Sequence, residues 1–193
     1  MKMGLLTLAV AVVSIFVAFF VFSRFFVDLL WFGSLGLREV FTTTWLTMLA
    51  VFAIVAGLSA ALLLLNGLVA LRASSTATGR GQRFRVVGRN AQGLPEVIEL
   101  SLDNLPWRLI VVATALILGL FIGFAQTGNW DIFLKWLHAV PFGRSDPLFG
   151  NDLGFYLFSL PVYELLTDWA QLIIFLCAAT AAAIYFARGG ISY

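Results

Sequence analysis

Four long apolar runs divide this chain, and the three stretches between them carry most of its charge. The first run, Gly4 to Ser23, holds twenty residues without a charge, between Lys2 and Arg24. At about 1.5 Å per helical residue it covers roughly 30 Å, the thickness of a bilayer core. It is longer and bulkier than the apolar part of a cleaved leader, so it reads as an uncleaved span over about 4–23. The second run, Val40 to Leu71, fits one helix over about 44–70, starting at Thr43 or Thr44 as a cap, and is too short for two. Ala50, Ala53, Gly57, Ala60 and Ala61 fall near one face of it, where another helix can approach. Pro106-Trp107 opens a third span over about 107–126, which contains Gly119 and Gly123 in a GxxxG spacing. Helix packing is therefore assigned to Gly57, Gly119 and Gly123. The fourth span covers about 162–187. Glu164 and Asp168 lie in its first turns, where acids suit a helix N-terminus, Arg188 closes it, and Gly189-Gly190 stops it.

The polar stretches predict the connectors. Residues 24–39 read as an interfacial turn, with Trp31 and Phe32 in an aromatic belt. Arg72 to Arg108 is the only hydrophilic region of any length, with the loop itself over 72–106, and it holds Arg72, Arg80, Arg83, Arg85, Arg89 and Arg108. Within it, Ser74 to Gly81 is small, polar and flexible, and Pro95 to Asn104 forms a short amphipathic helix on the membrane surface. In the loop 127–161, Asn129 to Val140 forms a second interfacial helix with an i,i+4 pair, Asp131 and Lys135. His138, the sole histidine, reads as a polar face residue, because no second metal ligand lies near it.

The rest of that loop, Asp146 to Pro161, reads DPLFGNDLGFYLFSLP. Asp146-Pro147 opens a turn, since a residue before proline is pushed out of the helical region. Gly150, Asn151 and Asp152 suit tight backbone, and Phe155 and Tyr156 begin an aromatic run that stops at Pro161, the first residue of the last helix. The plain reading is a membrane-interface loop with aromatics at headgroup level. A sharper alternative is an ion or ligand site built on Asp146 and Asp152.

Composition confirms the solvent. Hydrophobic residues make up 61% of the 193 and charged residues 11%, against about 25% charged in an ordinary soluble domain. Basic residues set an orientation. Lys2, the arginine loop and Arg188 fall on one side, and the connectors 24–39 and 127–168 on the other, with two basic residues each. Positive charge stays in the cytoplasm, so both termini are expected inside, 72–106 is cytoplasmic and 127–161 extracytoplasmic. One cysteine, Cys177, cannot form an internal disulfide. No phosphate loop, zinc-protease, CxxC, nucleophile-elbow or dinucleotide pattern occurs, and no charge lies at mid-span. These features speak against an enzyme, a cofactor, a bound metal and nucleic-acid binding.

VDLLWFGSLGLREVFTT (Val27 to Thr43), together with the stretch Asp146 to Pro161, resembles the N-terminal region of the uncharacterised protein family 0182 of large bacterial integral membrane proteins. The resemblance implies a multi-pass region followed by a large extracytoplasmic portion, in chains several times longer. It transfers no functional residues, because no activity is established for the family. The expectation is thus an all-α polytopic protein of a bacterial plasma membrane, with four transmembrane helices and two interfacial helices in a single domain. Its partners are the lipid bilayer and either other membrane subunits or the missing C-terminal region. Its role is to anchor a larger protein or complex. The alternative is a share in a transport or channel assembly, through Asn66, Gln126 and Gln171.

Overall fold

The computed structural model describes residues 2–76, 83–89, 95–101 and 105–188, with backbone alone for both strands. The fold is α-helical. Four helical segments are long and apolar enough to cross a membrane: Thr7–Ser34, Arg38–Ser74, Trp107–Leu137 and Phe155–Ala187. The elements in chain order are α1 (Lys2–Ser34), α2 (Arg38–Thr76), β1 (Arg83–Arg89), β2 (Pro95–Ser101), α3 (Trp107–Gln126), α4 (Trp130–Leu137) and α5 (Leu160–Ala187). They form two compact units, Met1–Thr47 and Met48–Tyr193, and the division falls within α2.

In the first unit the helices outrun the expected spans. α1 has 33 residues and absorbs Arg24 and Asp28, so most of the expected 24–39 turn is helix. The turn shrinks to three residues. Gly36 adopts φ +72°, and the amides of Gly36 and Leu37 donate back to Gly33 O at 3.2 Å and Phe32 O at 2.9 Å. That left-handed glycine cap satisfies the last carbonyls and lets α2 start at Arg38, well before Thr43. The hairpin is closed by aromatics. Phe41 is buried, and its ring lies 5.3 Å from Phe25 and 5.6 Å from Phe32, while Trp45 meets Phe25 edge-on at 4.9 Å. Edge-to-face and tilted rings suit the aromatic quadrupole.

In the second unit α2 is the central element. Its buried positions Ala56, Ser59, Leu63, Gly67, Ala70 and Ser74 advance by threes and fours, the seam spacing of supercoiled helices. This corrects the face expected from small residues. Ala50, Ala53, Gly57 and Ala61 are exposed, and a Cβ added at Gly57 would meet nothing within 4 Å. Alanine is spread round the whole helix, so it cannot mark a face. Ser59, Asn66 and Ser74 mark it, because polar groups in an apolar helix turn toward partners.

α3 packs antiparallel on that seam. A Cβ at Gly119 would meet Ala60 Cβ at 2.7 Å and Ala56 O at 2.9 Å, and one at Gly123 would meet Ala56 Cβ at 2.6 Å and Phe52 O at 2.9 Å. Gly67, which the sequence reading passes over, is equally tight against Val111 Cγ1 at 2.5 Å. α5 runs parallel to α2, since its contacts advance together: Trp169 with Ser59, Cys177 and Thr180 with Asn66, and Arg188 with Leu71. Val111, Ile184, Ala70 and Leu71 form the apolar core between the three helices.

Two connectors differ from expectation. The stretch from Pro95 is not an amphipathic helix. It is a strand paired antiparallel with β1, with Val86 opposite Ile98 and Val87 opposite Val97. Branched residues are stiff in helices and fit a pleated ribbon. With a partner strand at hand, that preference outweighs the helical spacing of the apolar positions. Residues 102–104 of that stretch, 77–81 of the expected flexible segment, Arg80 and the Gly189-Gly190 stop lie outside the described residues. The expected helix at Asn129 to Val140 exists as α4, but it continues α3 through one 3-10 turn at Thr127–Asn129. Asp131 and Lys135 pair at 2.9 Å as their spacing requires. His138 caps the end of α4, with Nδ1 3.0 Å from Leu134 O.

Candidate functional site

Two constructions concentrate the polar chemistry of the second unit. One is the seam of α2 with α5. The other is the loop that leads into α5.

The seam has three hydrogen-bonded rungs. Trp169 Nε1 donates to Ser59 Oγ at 2.9 Å. Asn66 Nδ2 donates to Cys177 O at 2.8 Å and Thr180 Oγ1 at 3.1 Å. Arg188 Nη1 donates to Leu71 O at 2.9 Å and Ser74 Oγ at 3.1 Å. Along α2 the rungs are five to eight residues apart, or roughly 8 to 12 Å. Each falls on the buried seam, and among the described residues no buried side-chain nitrogen or oxygen lacks a partner. Asn66 is therefore a clasp between helices. Gln126 Oε1 accepts from Asn129 Nδ2 at 2.6 Å, across the 3-10 turn. Gln171 is exposed on α5. The three polar residues considered for a shared pathway thus occupy three different settings. Only the heptad register could have picked out the rungs from sequence. Arg188 does more than close its own helix, since its charge sits at the C-terminal end of α2, where the helix dipole favours a cation.

Replacing Asn66 with alanine removes two interhelical bonds. The expected loss is about 1 kcal/mol, as measured for polar contacts between membrane helices. It is read as a lower thermal midpoint in detergent, and an unchanged midpoint would show the clasp to be idle.

The loop is knotted by its two carboxylates. Asp146 and Pro147 occupy the first two positions of a tight turn, the arrangement favoured for a type I turn. Asp146 Oδ2 accepts from Phe149 N at 2.9 Å and from Tyr156 Oη at 3.0 Å. Asp146 O accepts from Gly150 N at 2.9 Å, with Gly150 at φ +71°, and Asp146 N donates to Asn151 O at 2.7 Å. Asp152 works across a longer distance. Its Oδ1 accepts from Phe142 N at 3.0 Å and Gly154 N at 2.7 Å, and its Oδ2 from Gly143 N at 2.9 Å. Gly143 stands at φ +70°, which turns its amide to the carboxylate. Gly154 is packed tightly, for a Cβ there would meet Asp152 Oδ1 at 2.8 Å and Val140 O at 3.0 Å. The amide of Phe149 foremost holds the Asp146 carboxyl below its ordinary range, and the amides of Phe142, Gly154 and Gly143 do the same for Asp152.

This geometry bears on the ion-site alternative. The two carboxylates are engaged by amides of their own loop and each forms a separate knot. Among the described residues, no group of three histidine, cysteine, aspartate or glutamate side chains comes together. The turn tip instead carries apolar side chains outward: Leu148 is 79% exposed and Phe149 71%. In a protein with membrane-spanning helices, such a tip suits the headgroup layer.

The aromatic run differs from expectation in one respect. Phe155–Ser159 form a π turn, with Leu160 N bonded to Phe155 O. Helix therefore begins before Pro161, which lies within the first turn of α5 as expected. Proline has no amide to give and its ring crowds the carbonyl four residues back, so the preceding turn widens. Phe155 thereby reaches Tyr163 at 6.2 Å and Phe142 reaches Phe158 at 6.4 Å, joining the loop to α5.

Comparison with known proteins places these features in a lineage. Residues 5–193 match the uncharacterised protein family UPF0182. A UPF0182 protein of Bradyrhizobium diazoefficiens is 40% identical over 193 residues, covering 98% of this chain and 20% of its own length. One from Cupriavidus necator is 37% identical, with 96% and 20% covered, and one from Leifsonia xyli is 28% identical, with 93% and 17% covered. The chain thus spans a fifth or less of these relatives. No solved structure matches. On a match that runs from residue 5 to the last residue, the chain belongs to the uncharacterised protein family UPF0182.

Proposed function

We propose that these residues are a passive membrane module that seats a larger protein in a bacterial plasma membrane, without enzymatic activity of their own. The supporting observation is how the polar groups are used. Ser59, Asn66 and Arg188 clasp α2 to α5, and Asp146 and Asp152 hold their own loop. Groups spent on internal bonds stabilise a fixed scaffold, and a proton or ion path needs intramembrane charge or open polar surface. The length of the relatives supports a cargo beyond the module.

The module crosses the membrane four times with both termini in the cytoplasm. Basic residues support this sense. The antiparallel α3 and parallel α5 support the successive crossings, since alternate spans must reverse. Cysteine labelling of the intact protein tests it, in a Cys177→Ala background. A membrane-impermeant maleimide should label Leu148→Cys in whole cells, and Thr78→Cys only after permeabilisation. The reverse pattern inverts the topology.

A share in a transport assembly is the competing reading, and exposed Gln171 is its best residue. Flux in liposomes carrying the complete protein separates the two. No flux, or flux unchanged by Gln171→Leu, supports the anchor, and flux abolished by that change in assembled protein supports transport.

A further inference from the structure

We propose that α2, α3 and α5 together bind one anionic phospholipid, with its phosphate on Arg108 and Arg188 and one acyl chain between the helices. Two adjoining hollows carry the inference. The first is a half-open cavity of about 260 Å³ between the three helices, lined by Leu63, Gly67, Val111, Leu118 and Ala183 among others, with almost no polar surface. The second is an open cleft of about 750 Å³ at the end of the bundle, lined by Arg72, Arg108 and Arg188 together with Leu68, Leu71 and Pro106. Among the described residues that line this cleft, three are arginines and none is an acid. Trp107 lines both hollows and is their common wall.

The depths agree on all three helices. From Arg72 back to Leu63 on α2, from Arg108 on to Leu118 on α3, and from Arg188 back to Thr180 on α5, the chain moves nine, ten and eight residues. At about 1.5 Å per residue, the apolar lining reaches 12 to 15 Å below the arginines on each. A phospholipid has that layout, with charge at the surface and hydrocarbon beneath it. A free anion would leave the apolar cavity unfilled, and a neutral lipid would offer no negative charge to Arg108 and Arg188. The bonds from Arg188 to Leu71 O and Ser74 Oγ go to neutral acceptors, so they fix the guanidinium without cancelling its charge. Arginine presents a planar fork that suits phosphate oxygens, and basic pockets between helices at the membrane surface recognise anionic headgroups. Trp107 adds an amphipathic ring at the level where the two parts of the lipid join. The inference needs the helices to span a bilayer, and it holds whichever leaflet contains this end.

The test uses the full-length protein, delipidated in a neutral detergent. Dioleoyl phosphatidylglycerol, dioleoyl phosphatidylcholine and glycerol 1-phosphate are each titrated against the thermal midpoint. Phosphatidylglycerol should raise the midpoint well above the effect of phosphatidylcholine, and glycerol 1-phosphate should leave it unmoved. Arg108→Gln should weaken apparent phosphatidylglycerol binding about five-fold, the effect of one arginine near an anionic surface. Ala183→Phe fills the cavity without changing charge and should weaken both lipids. Equal shifts by the two lipids, a full shift by glycerol 1-phosphate, or a preference untouched by Arg108→Gln would each overturn the proposal. Should the variants not fold, native mass spectrometry of the unaltered protein in an equal mixture of the two lipids decides. Phosphatidylglycerol adducts should dominate, and equal adducts refute the site.

Discussion

Replacing Gly123 with valine will pull α3 away from α2, at a cost of about 3 kcal/mol, the upper end for overpacking a tight contact. The reason is geometric. A Cβ at Gly123 lies 2.6 Å from Ala56 Cβ and 2.9 Å from the Phe52 carbonyl oxygen. Neither is the loose end of a long side chain, so the helices themselves must separate. Valine adds two methyl groups beyond that Cβ, and the neighbouring contact of Gly119 with Ala60 opens too. The effect is read as a fall in the thermal midpoint, or in the detergent concentration that unfolds the bundle. Gly57→Val is the internal control. Nothing lies within 4 Å of a Cβ there, so stability should hold within a few tenths of a kcal/mol or rise slightly, as glycine is a poor helix former. Ala56→Gly should rescue part of the loss in Gly123→Ala, since it removes the nearest obstruction, the Ala56 Cβ, and leaves the Phe52 carbonyl and the Cα of residue 56. Equal effects at Gly57 and Gly123 would show the close approach of α3 to be wrong.

That pair of glycines also shows what the sequence could reveal. The spacing of Gly119 and Gly123 marks a close helix contact without saying which helix arrives. The answer lies in Ala56 and Ala60, which repeat the same four-residue step on α2 in the opposite direction. Gly57 sits one position away from Ala56 and faces elsewhere, because one residue is about 100° of helix. Length and hydropathy were enough for four spans, as each apolar run is at least about as long as a bilayer core is thick. Their ends were not legible. Arg24 and Asp28 read as the end of a span, yet α1 continues past both to the Gly36 cap. A charged residue halts a hydropathy window, and it does not halt a helix. The hairpin of β1 with β2 failed for a different reason: Val97 and Ile98 become a strand only through pairing with Val86 and Val87, and pairing is non-local. In the candidate site, Asp146-Pro147 and Gly150 were readable as a turn, because their local chemistry decides it. The bond from Asp152 back to Gly143, nine residues earlier, was not.

That long-range bond makes Asp152→Asn the second large effect, and it is confined to one loop. The carboxylate collects three amides, from Phe142, Gly143 and Gly154. An asparagine offers one acceptor oxygen, and its NH₂ group is a donor set against donors. At least one amide is then left without its partner, and the loop around Gly143 opens. Amide hydrogen exchange in peptides over 140–154 should rise steeply in the variant, while peptides from α2 and α3 keep their protection. Tyr156→Phe removes a single bond to Asp146 and should raise exchange far less. Acid should reproduce the variant in the unaltered protein. The amides of Phe142, Gly154 and Gly143 hold the Asp152 carboxyl below its ordinary value of 3.8 in the folded loop. A carboxyl with a depressed folded pKa stabilises the fold at pH above its unfolded value. That contribution is lost as pH falls through the folded value. The loop should therefore be unchanged from neutral pH down to about 4 and loosen only below 3.8, after correction for the intrinsic exchange rate. Asp146 is depressed in the same direction, mainly by the amide of Phe149, and adds to the same transition. It ties its own turn and the Tyr156 hydroxyl, whereas Asp152 joins the backbone before the turn, at Phe142 and Gly143, to the backbone after it, at Gly154. An acid transition that persists unchanged in Asp152→Asn would assign it to Asp146 and leave the Asp152 knot without a structural role.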